Sequence, residues 1–70
     1  MKRTALLKKI SKAAKAAGLA WDLDSEGAEH SIYKLAGHKI AIPRHREINE
    51  YTAEGILKDT EDDLGKGWWR

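Results

Sequence analysis

The chain has 70 residues, no cysteine and a formal net charge of +2. This length supports one small domain at most, and the lack of cysteine excludes a disulfide framework, a zinc–thiolate site and a thiol nucleophile. No apolar run approaches the ~18 residues that a membrane helix needs, and the first residues do not resemble a signal peptide. We therefore expect a cytoplasmic protein without membrane contact.

The charges are divided into blocks along the chain. Residues 1–15 carry six cations and no acid, and residues 20–29 carry four acids and no cation. Residues 30–46 hold four cations and all three histidines, whereas residues 47–63 carry seven acids against one lysine. Local potentials therefore matter more than the total charge, and the cationic blocks suit a polyanion such as nucleic acid. A well-solvated surface of mixed charge explains the composition equally well.

The spacing of apolar residues predicts a helix over residues 4–17. The residues that recur on one helical face are Leu6, Leu7, Ile10, Ala13, Ala14 and Ala17. The opposite side carries lysines, among them Lys8 and Lys12, so the helix is amphipathic. Thr4 is the expected N-cap, and Gly18 stands where a C-terminal glycine is favoured.

Three strands are predicted to follow, over residues 20–24, 28–35 and 38–42. Apolar and polar residues alternate in the first strand, as in a half-buried strand, but alternation does not decide which face of the second strand is buried. Ala36-Gly37 forms a tight connection between the second and third strands. Pro43 ends the third strand because proline cannot donate a hydrogen bond to the ladder.

A second helix is predicted over residues 50–64, with Asn49 or Thr52 as its N-cap, followed by a tail over residues 65–70. The resulting order is helix, three-strand meander, helix. It predicts an α+β two-layer sandwich, in which two helices cover one face of a three-stranded antiparallel sheet and leave the other face open. The double-stranded-RNA-binding domain (dsRBD) and several small nucleases share this order, so the order alone does not choose a function.

Several short segments, in order and with preserved spacing, resemble HicA-type toxins, the small mRNA interferases of prokaryotic toxin–antitoxin pairs. The segments are His30-Ser31-Ile32-Tyr33, the run from Ile40 to Ile48, Thr52, and Ile56-Leu57-Lys58. The resemblance covers roughly residues 3–58. The chain departs from the pattern where Ala28-Glu29 replaces Gly-Ser and Ser31 replaces a second histidine.

The resemblance implies a dsRBD-like αβββα fold, an mRNA substrate and a catalytic histidine, which falls on His30. It also implies a cognate antitoxin of the HicB type as protein partner. A type II toxin of this kind would cleave RNA without a metal or other cofactor and would arrest growth.

The residue types suit that chemistry. Metal-free RNA cleavage needs a base for the ribose 2′-hydroxyl, an acid for the leaving 5′-oxygen and cations for the phosphorane, and histidine performs either proton transfer near neutral pH. We assign His30 as the general base and His45, or a lysine, as the acid. The expected phosphate contacts are Lys34, Arg44, Arg46 and, on the first helix, Lys8 and Lys12. The products would be a 2′,3′-cyclic phosphate and a 5′-hydroxyl.

Plainer interpretations accompany these assignments. His30 is a structural hydrogen-bonding residue in one of them, and His45 only holds the turn after Pro43. In the same plainer interpretation, Arg44 and Arg46 only form surface ion pairs with the acids that follow, Glu47 and Glu50. His38 is expected at the end of the sheet rather than in the site.

Two function classes compete with the nuclease. One is a non-catalytic RNA-binding module, and the other is a protein-interaction domain that uses the acidic second helix and the tryptophan tail. Trp21 is predicted to lie in the core, and Trp68 and Trp69 are expected to pack on the chain's own core rather than on bases, a sheet edge or a partner. The acidic runs at residues 22–26 and 59–63 lack a recognisable metal-ligand spacing, so no metal site is predicted.

Overall fold

The computed structural model describes all 70 residues and confirms the predicted α+β architecture. In chain order the elements are α1 (Arg3–Ala16), β1 (Trp21–Glu26), β2 (His30–Leu35), β3 (His38–Pro43), α2 (Glu50–Asp59) and α3 (Glu61–Leu64). The strands form one antiparallel sheet in the order β1-β2-β3. None of the three helices combines the length and the apolar character that crossing a bilayer requires.

The ends of α1 differ in how well they match expectation. At the C-terminus, Gly18 has φ +72° and donates its N–H to Lys15 O (3.1 Å), while Leu19 donates to Ala14 O (2.8 Å). This is the Schellman arrangement, which favours glycine because L side chains rarely adopt a positive φ. At the N-terminus the prediction of Thr4 as cap is wrong. The helix begins after Lys2, whose side chain makes no capping hydrogen bond.

Strand register decides which side chains face the helices. The helix-covered face carries the fully buried Leu35 and Ile42 and the nearly buried Ile40. Because side chains alternate along a strand, the uncovered face carries the other set. On β2 and β3 that set consists of His30, Ile32, Lys34, Lys39, Ala41 and Pro43. We call this surface the open face of the sheet.

Two turns set the ends of the β2–β3 and β1–β2 hairpins. Ala36 and Gly37 have φ of +50° and +88°, as a two-residue type I′ turn requires at both central positions. In the other hairpin, β1 extends to Glu26 and β2 begins only at His30, two residues later than predicted. The β1–β2 connection is tied by the Gly27 N–H, which donates to His30 O at 2.8 Å. His30 is therefore the first strand residue after the exposed β1–β2 connection.

The predicted continuous helix over residues 50–64 is wrong at one position. The Asn49 side chain caps α2 by accepting from Thr52 N–H (2.8 Å), as expected, but the helix stops at Asp59 and a short α3 follows. Between the two helices, the buried Thr60 hydroxyl donates to Leu57 O (2.6 Å) and accepts from Trp68 Nε1 (2.8 Å). The break is therefore part of the anchoring of the C-terminal tail.

The core lies between the sheet and the two long helices. Its ten buried residues are Leu6, Ile10, Ala14, Leu35, Ile40, Ile42, Ile48, Ala53, Ile56 and Leu57. All three tryptophans are half-buried and pack against its margin, and Trp21 stacks on Tyr33 with ring centroids 4.7 Å apart. Large aromatic side chains thus enlarge a core that a chain of this length supports only narrowly.

Candidate functional site

His30 is the first residue of β2 and lies on the open face of the sheet, opposite Pro43 of β3. Its side chain is exposed, and no hydrogen bond or ion pair engages the imidazole. A histidine that served only to hold the strand would be expected to have a hydrogen-bond partner within the protein. The imidazole is therefore accessible to a ligand on this face.

The chain leaving β3 brings a second histidine and an arginine to His30. Arg44 N–H donates to Glu29 O (3.1 Å), and Arg44 Nη1 donates to Gly27 O (2.8 Å), so Arg44 fastens the end of β3 to the β1–β2 connection. His45 follows and shares one surface depression with these residues. The depression is lined by Ala28, Glu29, His30, Arg44 and His45. We call it the histidine depression.

Arg46 does not line the histidine depression. It lies in an adjoining depression whose lining residues are Lys2, Arg3, Thr4, Arg44, Arg46 and Glu47. The ion pairs considered for Arg44 and Arg46 with Glu47 and Glu50 do not form. The two carboxylates instead face the N-terminal ammonium, at 2.7 and 3.4 Å. Arg44 and Arg46 are thus free of carboxylate partners.

The three lysines predicted to contact phosphate are not in the histidine depression. Lys34 shares the open face with His30 but lies four residues further along β2, about 13 Å away at the usual rise of a strand, and its Nζ is 3.7 Å from Asp24 Oδ1. Lys8 and Lys12 are exposed on α1, which packs on the other side of the sheet. They can contact only those parts of a bound nucleic-acid strand that extend well beyond the histidine depression.

His38 lies at the opposite end of the β2–β3 hairpin, as expected. Its Nδ1 is 2.7 Å from Asp63 Oδ2 of α3, and this hydrogen bond and the charge of Asp63 raise the pKa of His38 above its ordinary value. The Asp63 side chain is only 13% exposed. His38 therefore has a structural partner and takes no part in the histidine depression.

Sequence reasoning missed Arg3, which the residue pattern presents only as one more cation of a lysine-rich helix. Arg3 Nε donates to Pro43 O and Nη2 donates to Ser31 Oγ, both at 2.9 Å. Ser31 is fully buried on the helix-covered face and donates in turn to Glu26 Oε1 (3.4 Å). Ser31, which stands where the HicA pattern has its second histidine, thus has a structural role here.

The tryptophan tail is fixed to its own chain, in agreement with the prediction. Glu61 accepts from the Gly67 N–H and from Trp69 Nε1, both at 2.8 Å, and these hydrogen bonds, that of Gly67 first, lower the pKa of Glu61. The Arg70 guanidinium lies 5.1 Å from the centre of the Trp69 ring, within the range of a cation–π contact.

No three histidine or acidic side chains converge as metal ligands.

The histidine depression combines the groups that metal-free phosphodiester chemistry requires. Two exposed imidazoles can accept or donate a proton, and the guanidinium of Arg44 carries a positive charge and is fixed by its hydrogen bond to Gly27. The carboxylate of Glu29 is the only acidic group on its wall.

Comparisons with protein-family models, with curated proteins and with solved structures gave no match for this chain.

Proposed function

We propose that this protein is a metal-independent endoribonuclease that cleaves mRNA as the toxin of a HicA-type toxin–antitoxin pair. The observation that carries the proposal is that His30, Arg44 and His45 line one exposed depression. The resemblance described above points to RNA and to His30, and it supports the same assignment independently of the depression.

The proposed reaction uses two imidazoles with complementary roles. Neutral His30 takes the proton of a ribose 2′-hydroxyl, and the 2′-oxygen attacks the adjacent phosphorus. The Arg44 guanidinium stabilises the negative charge of the resulting phosphorane. Protonated His45 donates its proton to the 5′-oxygen as the phosphorus–oxygen bond breaks. The products are a 2′,3′-cyclic phosphate and a 5′-hydroxyl, and each histidine ends in the protonation state in which the other began.

We place both the substrate and the protein partner on the open face of the sheet. Ile32 and Ala41 form an apolar pair across β2 and β3, next to His30 and flanked by Lys34 and Lys39. Bases can pack on the apolar pair while phosphates meet the cations. A cognate antitoxin of the HicB type, in the cytoplasm, would neutralise the toxin by covering this face.

A non-catalytic RNA-binding module is the second candidate, and one observation favours it. The depression that contains Arg46 has four cations and no histidine, so it can hold phosphate without any cleavage. In that case, binding would be sensitive to salt because the cations of the protein displace counterions from the RNA, and the RNA would remain intact.

The test is cleavage of a single-stranded RNA in EDTA by the unaltered protein, by His30→Gln and by His38→Gln. The last variant is a matched control, since it removes an exposed histidine from the other end of the same hairpin. We expect 2′,3′-cyclic phosphate ends, a rate about 10²- to 10⁴-fold lower for His30→Gln, and near-normal cleavage by folded His38→Gln. Cleavage by His30→Gln at the unaltered rate would contradict the proposal, and salt-sensitive binding without cleavage would support the second candidate.

A further inference from the structure

The depression next to the histidine depression is a separate cationic surface. It is lined by Lys2, Arg3, Thr4, Arg44, Arg46 and Glu47, without a single apolar residue. We call it the cation cleft. Arg44 lines both depressions, so a ligand that leaves the histidine depression on this side reaches the cation cleft directly.

Two backbone segments build the cation cleft. Lys2 forms an isolated antiparallel bridge with Glu47, and Arg3 N–H donates to Arg46 O at 2.9 Å. The segment before α1 and the segment after β3 therefore run side by side. Cations that are far apart in the sequence are placed on one wall by this pairing.

The Arg3 guanidinium is fixed before any ligand arrives. Its Nε and Nη2 donate to Pro43 O and Ser31 Oγ, which leaves Nη1 without a protein acceptor. A guanidinium held in this way loses little side-chain entropy when it binds an anion.

The charges of the cation cleft are not balanced within the protein. Four cations face one carboxylate, that of Glu47, and this carboxylate lies 2.7 Å from the N-terminal ammonium. Lack of an ion pair does not by itself distinguish these cations, because Lys34 is the only one of the 13 lysines and arginines that has a carboxylate within 4 Å. What distinguishes the four cations is that they line one depression. Like charges that lie close together repel one another, and a bound anion relieves that repulsion.

We propose that the cation cleft binds the backbone phosphate next to the scissile phosphate of a single-stranded RNA. Lys2, Arg3 and Arg46 contact this second phosphate, while Arg44 lies between the two phosphate positions. The inference rests on the proposed function for the identity of the strand. It assigns Arg46 to a different phosphate from the one that is cleaved, and it adds Lys2 and Arg3 to the binding surface.

Binding is measured first, in a His30→Ala background that leaves the RNA intact. In this background, Lys2→Gln/Arg46→Gln is compared with Lys15→Gln/Lys58→Gln, which removes the same charge from exposed positions outside both depressions. Arg3 stays unaltered because it ties α1 to β2 and β3. We expect the cleft variant to bind a single-stranded RNA oligonucleotide about 10-fold more weakly than the control, from two exposed contacts. Its slope of log affinity against log salt should be shallower by roughly 1.4, at about 0.7 per lost contact.

Cleavage by the protein with His30 intact is measured second. The cleft variant should lose more kcat/KM on the oligonucleotide than on a dinucleoside monophosphate, because the shorter substrate has no second phosphate. Equal binding and equal cleavage by the cleft and control variants would overturn the cation cleft while leaving the nuclease in place. Weaker binding by the cleft variant, together with no cleavage by the unaltered protein, would support the cation cleft and overturn the nuclease.

Discussion

The two ends of the β2–β3 hairpin treat their histidines in opposite ways. At the end we call closed, His38 pairs with Asp63, and the nearby tail hydrogen-bonds through Trp68 and Trp69 to Thr60 and Glu61. At the end we call open, His30 and His45 have no hydrogen-bond partner, and Arg44 has no carboxylate partner.

This contrast separates structural from available polar groups. His30 and His38 are the first residues of the two strands of this hairpin. They lie on opposite faces of the sheet and have different surroundings. The partner of His38 comes from α3, whereas no element supplies a partner to His30. The partnered His38 of the closed end is expected to affect stability, and the unpartnered His30 and His45 of the open end are expected to affect ligand chemistry.

The largest effect on stability is expected at the closed end. Trp68→Ala removes a half-buried indole from the core margin and takes away the donor to the buried Thr60 hydroxyl. The free energy of unfolding in urea should fall by about 3 kcal/mol. Trp68→Phe keeps most of the packing and should lower it by about 1 kcal/mol, for the lost hydrogen bond.

The same variants test whether the two ends are independent. RNA cleavage per folded molecule should be unaffected by Trp68→Phe, because the indole lines neither the histidine depression nor the cation cleft. A fall in cleavage that exceeds the loss of folded protein would show that the tail takes part in the chemistry, and the division into two ends would then be mistaken.

At the open end, His45→Ala should slow cleavage about 10²-fold, the lower end of the usual contribution of a general acid. Its urea midpoint should match that of the unaltered protein, since the exposed imidazole has no protein partner. An activated RNA substrate, whose leaving group needs no proton, should be cleaved almost equally by both proteins. Equal losses on the two substrates would assign His45 to binding rather than to proton donation.

The smallest effect is a pH dependence at the closed end. Asp63 raises the pKa of His38 in the folded state, so the folded protein holds this proton more tightly than the unfolded chain does. The stabilisation is complete below the unfolded value of about 6.5 and is lost as the pH rises through the raised folded value.

Melting temperatures of the unaltered protein and of His38→Gln should therefore differ most near pH 5 and converge at alkaline pH. Asp63→Asn should remove the same pH-dependent part, because the pair needs both members. A gap in melting temperature that widens toward alkaline pH would show that the pair does not act through a protonated His38.

The sequence predicted the layers because local patterns determine them. Apolar spacing located α1, Gly18 marked its end, and Ala36-Gly37 fitted the type I′ turn. The break at Thr60 was missed because the hydrogen bond that Thr60 accepts from Trp68 joins the helix to the tail, and a helical pattern does not contain such a contact.

The candidate site was predictable in part. His30 was predicted through the resemblance of its segment to the HicA pattern, and Arg44 and His45 were predicted from the residues that follow Pro43. Arg3 was missed because its contacts with Pro43 and Ser31 arise only when α1 packs on the sheet. Lys8 and Lys12 were placed on the correct side of α1, but that side faces away from the histidine depression. Long-range placement of this kind leaves no periodicity for sequence reasoning to detect.

The most direct test of the central claim is chemical rescue of His30→Ala. The depression is exposed, so free imidazole can occupy the space that the side chain leaves and accept the 2′-hydroxyl proton. We predict that cleavage of a single-stranded RNA in EDTA is lost in His30→Ala, rises in proportion to added imidazole, and yields the same product ends. Undiminished cleavage by His30→Ala without imidazole would contradict the account.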